Sequence, residues 1–427
     1  MLMACTLYIS GCDSQCCACP QSSGTASQRP YYRETWRGTM KKILFLPLFK
    51  MESGHHKVAS ALIDSFAQEY PSIQCKKVDL LSFMSPALEK GISHLYLKWI
   101  KKAPSYYSRF YKNFFSKNSK LIQKSYESFC LEKMEDLLLR EQPDLIVCTH
   151  SFSSFLAGKL KKYGVISTPV INIYTDFFIN SLWDLDEVDW HFVPSHHIKT
   201  QLAETGIPAE KIKITGILVN NEITQRSKRK AFNTPLRILI TGGNLGLLRV
   251  SNFGESGSYS AEYRVLCGTN VPLYRSIDMK KSPVVTPYSY ITNSAKMNEL
   301  YDWADVIVTK PGGVTISEAL RKRLPIFLHS VLPGQEEKNV EYLKATDLVY
   351  LLDPHSPMEE QIFTFLQNQP AVFKKHKAAH AYLSELELVT TAEVCHFIEK
   401  TILNEDKPGH IAYIDTVFYQ LYSKIEN

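Results

Sequence analysis

The stretch Asp305-Val306-Ile307-Val308-Thr309-Lys310-Pro311-Gly312-Gly313-Val314-Thr315-Ile316-Ser317-Glu318-Ala319-Leu320-Arg321 decides the fold class. An apolar run over Asp305–Thr309 predicts a buried strand, Pro311-Gly312-Gly313 a turn, and Val314–Arg323 a helix leading into a second strand at Pro325–Leu328. Strand, glycine turn, helix and strand make one unit of a parallel α/β sheet. Such sheets bind ligands outside the carboxyl ends of their strands. Gly312 and Gly313 allow close backbone approach, and the helix start offers N–H groups to an anion such as a diphosphate.

Gly334-Gln335-Glu336 falls just past the next strand end, on the same rim. An amide that donates and accepts, beside a carboxylate that only accepts, suits a polyhydroxylated ligand. A plainer reading makes Thr315-Ile316-Ser317-Glu318 a capping box that merely closes the helix start. Polar clusters on successive strand ends favour the binding reading.

The pattern TKPGG-x-T-x-x-EA, followed by P-G-Q-E, resembles the donor site of glycosyltransferase family 28. It is most similar to the diacylglycerol glucosyltransferase and monogalactosyldiacylglycerol synthase branch, over about Met40 to Leu351. That resemblance implies a GT-B fold, two Rossmann-like domains facing a cleft. It places Gly312, Gly313 and Thr315 on the diphosphate of a UDP-hexose, Glu318 on the ribose, and Gln335 and Glu336 on the hexose. The acceptor it implies is diacylglycerol or a glycolipid, glycosylated with inversion, and it implies no metal and no cofactor beyond the UDP-sugar co-substrate.

A chain of 427 residues accommodates two domains of ordinary size. Hydrophobic content of 44% and charged content of 22% are those of a globular protein. No run approaches the roughly 18 uninterrupted apolar residues of a membrane span, so membrane contact is expected to be peripheral, on the cytoplasmic side. Of ten cysteines, five (Cys5, Cys12, Cys16, Cys17, Cys19) crowd the first 19 residues. Cys16 and Cys19 form a C-x-x-C without a second pair at zinc spacing. The scattered remainder read as buried thiols of a reducing compartment. Residues 1–39 are expected to be disordered or a spurious extension, with Met40 as a natural start.

From the amino end, Ile43–Pro47 reads as a strand followed by Ser53-Gly54-His55 and a helix to about Tyr70, with Val58, Leu62 and Phe66 on one face. His55 is either a helix-start cap or a cleft residue; the resemblance places it on the acceptor hydroxyl, where an imidazole of pKa about 6.5 suits a general base. Gln74–Leu80 reads as a strand. Residues Gly91–Tyr126 carry eight Lys or Arg and no acid, interleaved with Trp99, Tyr106, Tyr107, Phe110, Tyr111, Phe114 and Phe115. That mixture suits an anionic membrane surface, with an ordinary helix pair as the alternative. Nucleic acid is not the expected partner.

Glu127–Arg140 predicts an amphipathic helix, Asp144–Thr149 and Pro169–Thr175 strands. Asp176 follows the latter; it either caps the following turn or, matching a Thr-Asp pair of the family, is the second catalytic candidate the resemblance implies. Asp184-Leu185-Asp186 has the form of a metal-binding D-x-D but sits in a charged turn. Lys211–Thr215 reads as a strand closing an acceptor domain over 40–220, and 221–235 as a linker. A donor domain over 236–408 opens with a strand and Gly242-Gly243-Asn244-Leu245-Gly246, where Gly243, Asn244 and Gly246 form a second phosphate-binding candidate. Val250–Ser260 and Ser282–Ser294 read as irregular. Tyr263–Gly268 predicts a strand, Ala295–Trp303 a helix, and residues 409–427 a last helix packing back on the acceptor domain. Alternative readings are a cell-wall type UDP-N-acetylglucosamine transferase, a UDP-sugar epimerase and a non-catalytic UDP-sugar sensor.

Overall fold

The computed structural model describes residues 40–50, 52–86, 89, 120–225, 232, 234–243, 260–329, 331 and 334–403. The basic aromatic residues 91–119, residues 1–39, Asn244, Gly246, residues 250–259 and the expected last helix lie outside them.

Runs of consecutive apolar residues form the strands of a first parallel sheet: β1 (Lys42–Leu46), β2 (Gln74–Lys77), β3 (Leu145–Cys148), β4 (Val170–Ile173), β5 (Trp190–Val193) and β6 (Ile212–Ile214). Their order is β2-β1-β3-β4-β5-β6. Ile43–Leu46 and Leu145–Cys148 are fully buried, as expected of central parallel strands covered on both faces. β2 reads Gln-Cys-Lys-Lys because it is an edge, where charge discourages further pairing. It ends at Lys77, short of the predicted Leu80, which begins the helix Leu80–Met84. From β1 the chain first goes outward to β2 and then returns to β1's other side. The β1/β3 boundary is therefore a topological switch point, where the strand-end loops open a crevice.

The second sheet repeats this logic with β7 (Leu236–Thr241), β8 (Ala261–Leu266), β9 (Val285–Tyr288), β10 (Val306–Thr309), β11 (Ile326–Leu328) and β12 (Tyr350–Leu351). It is parallel in the order β12-β11-β10-β7-β8-β9, so its switch point lies between β7 and β10. The glycine turn after β7 and the Lys310-Pro311-Gly312 turn after β10 flank that point. β9 corrects the expectation of irregular structure over Ser282–Ser294. It is a half-buried edge strand containing Pro287, which an edge tolerates because it need not donate on its outer side.

The helices that position the cleft are α1 (Gly54–Glu69), α4 (Ser151–Lys162), α8 (Gly313–Arg321) and α9 (Gln335–Ala345), numbered after α2 (Leu80–Met84), α3 (Lys120–Glu141), α5 (His196–Glu204), α6 (Val271–Met279) and α7 (Ser294–Trp303). α8 starts at Gly313 with Gly312 as its cap and Ile316 N–H donating to the Gly312 carbonyl at 3.1 Å. Thr315 is thus already inside the helix, and the capping-box reading of Thr315 and Glu318 does not hold.

One apolar core runs through both halves: Val58, Leu62, Phe177 and Ile217 share it with Leu239, Ile307, Val314 and Ala319. The chain returns to the first sheet at Glu387, whose carboxylate accepts from Ile214 N–H at 2.8 Å. The following helix α12 (Thr391–Phe397, after α10 at Met358–Gln367 and α11 at Gln369–Ser384) lies on α1. There Phe397 packs edge-on against Trp190 at 4.9 Å. Arg321, buried at the end of α8, donates to the carbonyls of both crossing segments, Ile223 and Val389.

Candidate active site in the interdomain cleft

The two switch points face each other, and a cavity of about 230 Å³ lies between them. Ser53, Gly54, His55, Thr175 and Asp176 line it from the first sheet; Gly243, Lys310–Thr315, Gln335, Glu336 and Asn339 line it from the second. The starts of α1 and α8 meet closely enough that a Cβ on Gly54 would stand 3.4 Å from Val314 Cγ2. Two helix N-termini converging on one cavity give it a positive electrostatic bias suited to an anion.

His55 is fixed by backbone. Its Nδ1 lies 2.6 Å from the Thr149 carbonyl oxygen and 2.9 Å from Thr175 Oγ1. A carbonyl only accepts, so Nδ1 carries the proton and Nε2 of the neutral ring is the basic nitrogen. His150 packs edge-on against this ring, centroids 4.8 Å apart. Burial pulls His55 below the ordinary imidazole value, while Asp176 and the Thr149 carbonyl pull it back up and His56 adds a small downward push. His56 faces the other way, with Nε2 on Asp79 at 2.9 Å and Nδ1 on Ser53 Oγ at 3.0 Å. His150 caps α4 by accepting from Phe152 N–H at 3.0 Å, and burial holds it well below the usual range.

Asp176 stands at the end of the β4 segment, and its Oδ1 accepts from Asn339 Nδ2 at 2.9 Å. Burial raises its carboxyl; His55 and the Asn339 bond work against that rise, and Glu336 adds to it. Asn339 also donates to the Pro311 carbonyl at 3.0 Å and accepts from Phe177 N–H at 2.8 Å. One amide therefore joins the loop after β4 to the glycine turn after β10.

Gly313 is glycine for the same contact. A Cβ there would lie 2.1 Å from the Thr175 carbonyl oxygen and 2.6 Å from Ile217 Cδ1. Gly312 has open space at the corresponding point, and Thr315 follows on the cavity wall. Gly243 adopts φ +68° and sits under the Lys310 stem. Gln335 and Glu336 open α9 after Gly334, itself at φ +106°, and Glu336 Oε1 pairs with Lys310 Nζ at 2.9 Å. Glu318 is set back inside the fold, where Tyr301 Oη donates to its Oε2 at 2.6 Å.

Of the sequence-derived candidates, His55, Asp176, Gly243, Gly312, Gly313, Thr315, Gln335 and Glu336 are thus gathered around one cavity. Lys310, Thr175 and Asn339 were not singled out. Lys310 is inside the glycine motif itself, and Asn339 follows Gln335 by four residues, hence on the same helical face. Asp184 is a turn residue: its Oδ1 accepts from Glu187 N–H at 3.0 Å and its carboxylate fills the space a Cβ on Gly158 would need. Among the described residues no group of three or more His, Cys, Asp or Glu is arranged to hold a metal ion.

Two doubly wound parallel sheets whose switch points close on one anion-biased cavity define the GT-B fold. Residues 55–219 match the family model for monogalactosyldiacylglycerol (MGDG) synthase. The chain is 37% identical over 357 residues to the uncharacterized glycosyltransferase YkoN of Bacillus subtilis (strain 168), covering 81% of this chain and 94% of that protein. It is 29% identical over 376 residues to the processive diacylglycerol beta-glucosyltransferase of Bacillus cereus (strain B4264), covering 84% and 93%. The solved structure of the glycotransferase of kitacinnamycin matches with a TM-score of 0.55 at 11% identity, over 85% of this chain and 99% of that one, a likeness of fold alone. The chain belongs to glycosyltransferase family 28, in the branch of the MGDG synthases and diacylglycerol glucosyltransferases.

Proposed function

We propose that the protein transfers a hexose from a UDP-hexose to the hydroxyl of diacylglycerol or of a glycolipid acceptor, with inversion at the anomeric carbon. The observation that carries this reading is His55: its proton is fixed on Nδ1 by Thr149, and it lines the cavity that the α8 N-terminus also borders. The acceptor oxygen attacks the anomeric carbon as the bond from that carbon to the β-phosphate oxygen breaks. The acceptor's proton passes to His55 Nε2, and the charge on departing UDP meets the N–H groups of α8. Asp176 supports the imidazolium that forms, since its charge favours protonation of His55.

In the same reading, Gly312, Gly313 and Thr315 meet the diphosphate, with Gly243, Asn244 and Gly246 as the second glycine turn. Gln335 and Glu336 meet the hexose. Glu318 reaches the ribose by exchanging its Tyr301 bond for a sugar hydroxyl. An insoluble acceptor calls for a protein at the membrane surface. No described helix is long and apolar enough to cross a membrane. Composition assigns the contact to residues 91–126, on the anionic inner face of the cell membrane.

The test is incubation of the full chain with labelled UDP-glucose or UDP-galactose and diacylglycerol vesicles. The expected result is labelled glycolipid with UDP released in equal amount. UDP-sugar binding with no transfer to any diacylglycerol or glycolipid acceptor would contradict the reading and favour a sensor.

A further inference from the structure

Lys310 has no part in the scheme above, yet it occupies the centre of the second switch point. It follows β10 directly, and its stem crosses the glycine turn after β7. A Cβ on Gly243 would stand 3.0 Å from Lys310 Cε and 3.9 Å from Nζ. Its ammonium therefore lies close to Gly243, on the cavity that Gly312 and Gly313 also line. Both side chains of its pair with Glu336 remain partly open, 27% for Lys310 and 14% for Glu336. The bond itself is 2.9 Å long and uses one of the ammonium's three donors.

This placement is awkward for an anionic ligand unless the pair rearranges. A diphosphate entering between the glycine turns meets a lysine already held by a carboxylate, and the carboxylate repels it. We propose that Lys310 is the cation that receives the diphosphate of the nucleotide sugar, and that Glu336 holds its place until the ligand arrives. On binding, Nζ turns from Glu336 to the phosphate oxygens. Glu336 gives up that partner and accepts instead from the sugar's hydroxyl groups.

This inference rests on the UDP-hexose reading and adds a consequence to it. UDP alone draws Lys310 away from Glu336 without supplying hydroxyl donors, whereas UDP-hexose supplies them. The same residue pair thus helps the site tell a loaded nucleotide from a spent one, and so aids release of UDP after transfer. During bond cleavage negative charge grows on the β-phosphate oxygen, where a fixed ammonium stabilises the departing group.

Calorimetric titration of the full chain with uridine, UDP and UDP-glucose separates these claims. Lys310→Met keeps the stem over Gly243 and removes the charge. It should weaken UDP about 10- to 100-fold, the range of a lost charge-assisted contact, and leave uridine unchanged. Glu336→Gln should tighten UDP several-fold by releasing Lys310, while lowering the preference for UDP-glucose over UDP. Unchanged UDP affinity in Lys310→Met, or equal losses for UDP and uridine, overturns the assignment while the donor reading stands. Weaker UDP binding in Glu336→Gln overturns the place-holding role, and that arm alone decides if Lys310→Met does not fold. Wild-type protein that binds neither uridine nor UDP removes the donor reading itself.

Discussion

Asn339 of the second domain donates its amide to the Asp176 carboxylate of the first at 2.9 Å. The same side chain is buried and also ties Pro311 and Phe177. It sets the spacing between the loop that carries a catalytic candidate and the turn that starts α8. The geometry of His55 relative to α8 depends on it.

Asn339→Ala removes three hydrogen bonds made by a buried side chain, one of them to a carboxylate. A loss of about 2–4 kcal/mol in unfolding free energy is expected. Urea denaturation measures it, and turnover should fall at the same time because the two switch points are no longer held in register. Unchanged stability would show that the domain contact does not depend on this amide.

Gly313 and Gly312 are adjacent but answer differently to the same change. Gly313→Ala drives a methyl group to 2.1 Å from the Thr175 carbonyl, so the domains must separate or α8 must shift. A cost of about 1–3 kcal/mol or more follows, with strongly reduced transfer. Gly312→Ala meets open space at φ −85°, and its effect on stability should stay within about 0.5 kcal/mol. Thermal unfolding of the two variants side by side checks the contrast, and equal losses would refute it.

The pH dependence of turnover tests the charge coupling between Asp176 and His55. Asp176 raises the His55 pKa, so Asp176→Asn, which keeps size and the bond from Asn339, should lower it further. The acid limb of kcat/KM then moves to lower pH, with a reduced plateau. An acid limb that stays in place would mean that His55 does not set it or does not sense Asp176.

β1, β3 and β10 were legible in the sequence because consecutive fully buried apolar residues leave no other reading. β5 was not, being four residues long with His191 in its middle, and β9 was hidden by Pro287. The candidate site was largely legible because glycines and a histidine follow strand ends, where parallel sheets bind. The fixing of the His55 tautomer was not, since its partner is the Thr149 backbone carbonyl, which every residue type possesses. Neither was the reason for Gly313, which lies in the other domain's Thr175. Contacts made across 94 or more residues leave no local pattern.

Stability should itself fall in mild acid. Burial holds His55 and His150 below the ordinary value of about 6.5 and brings His191 down to about 4. A histidine with a lowered folded pKa binds fewer protons folded than unfolded. Its contribution is complete above about pH 6.5 and is lost as pH drops, for His191 progressively down to about 4. Asp176, whose carboxyl is raised, acts with opposite sign and adds stability as pH falls. His329 is lowered by burial in the same way, and Asp184 is raised as Asp176 is. Among the described residues, four histidines against two such carboxyls set the direction. The urea midpoint should be level between about pH 7 and 8 and decline from about pH 6.5 to 5; a rise over that interval would contradict the burial of these rings.

The most direct test of the central claim is the turnover of His55→Ala with UDP-hexose and diacylglycerol vesicles, measured beside its affinity for UDP. With the base removed and the donor side intact, turnover should drop by about 10²–10⁴ while UDP binds as in the wild type. Near-normal turnover in that variant would show that the proton leaves the acceptor by another route, and the account built on His55 Nε2 would fail.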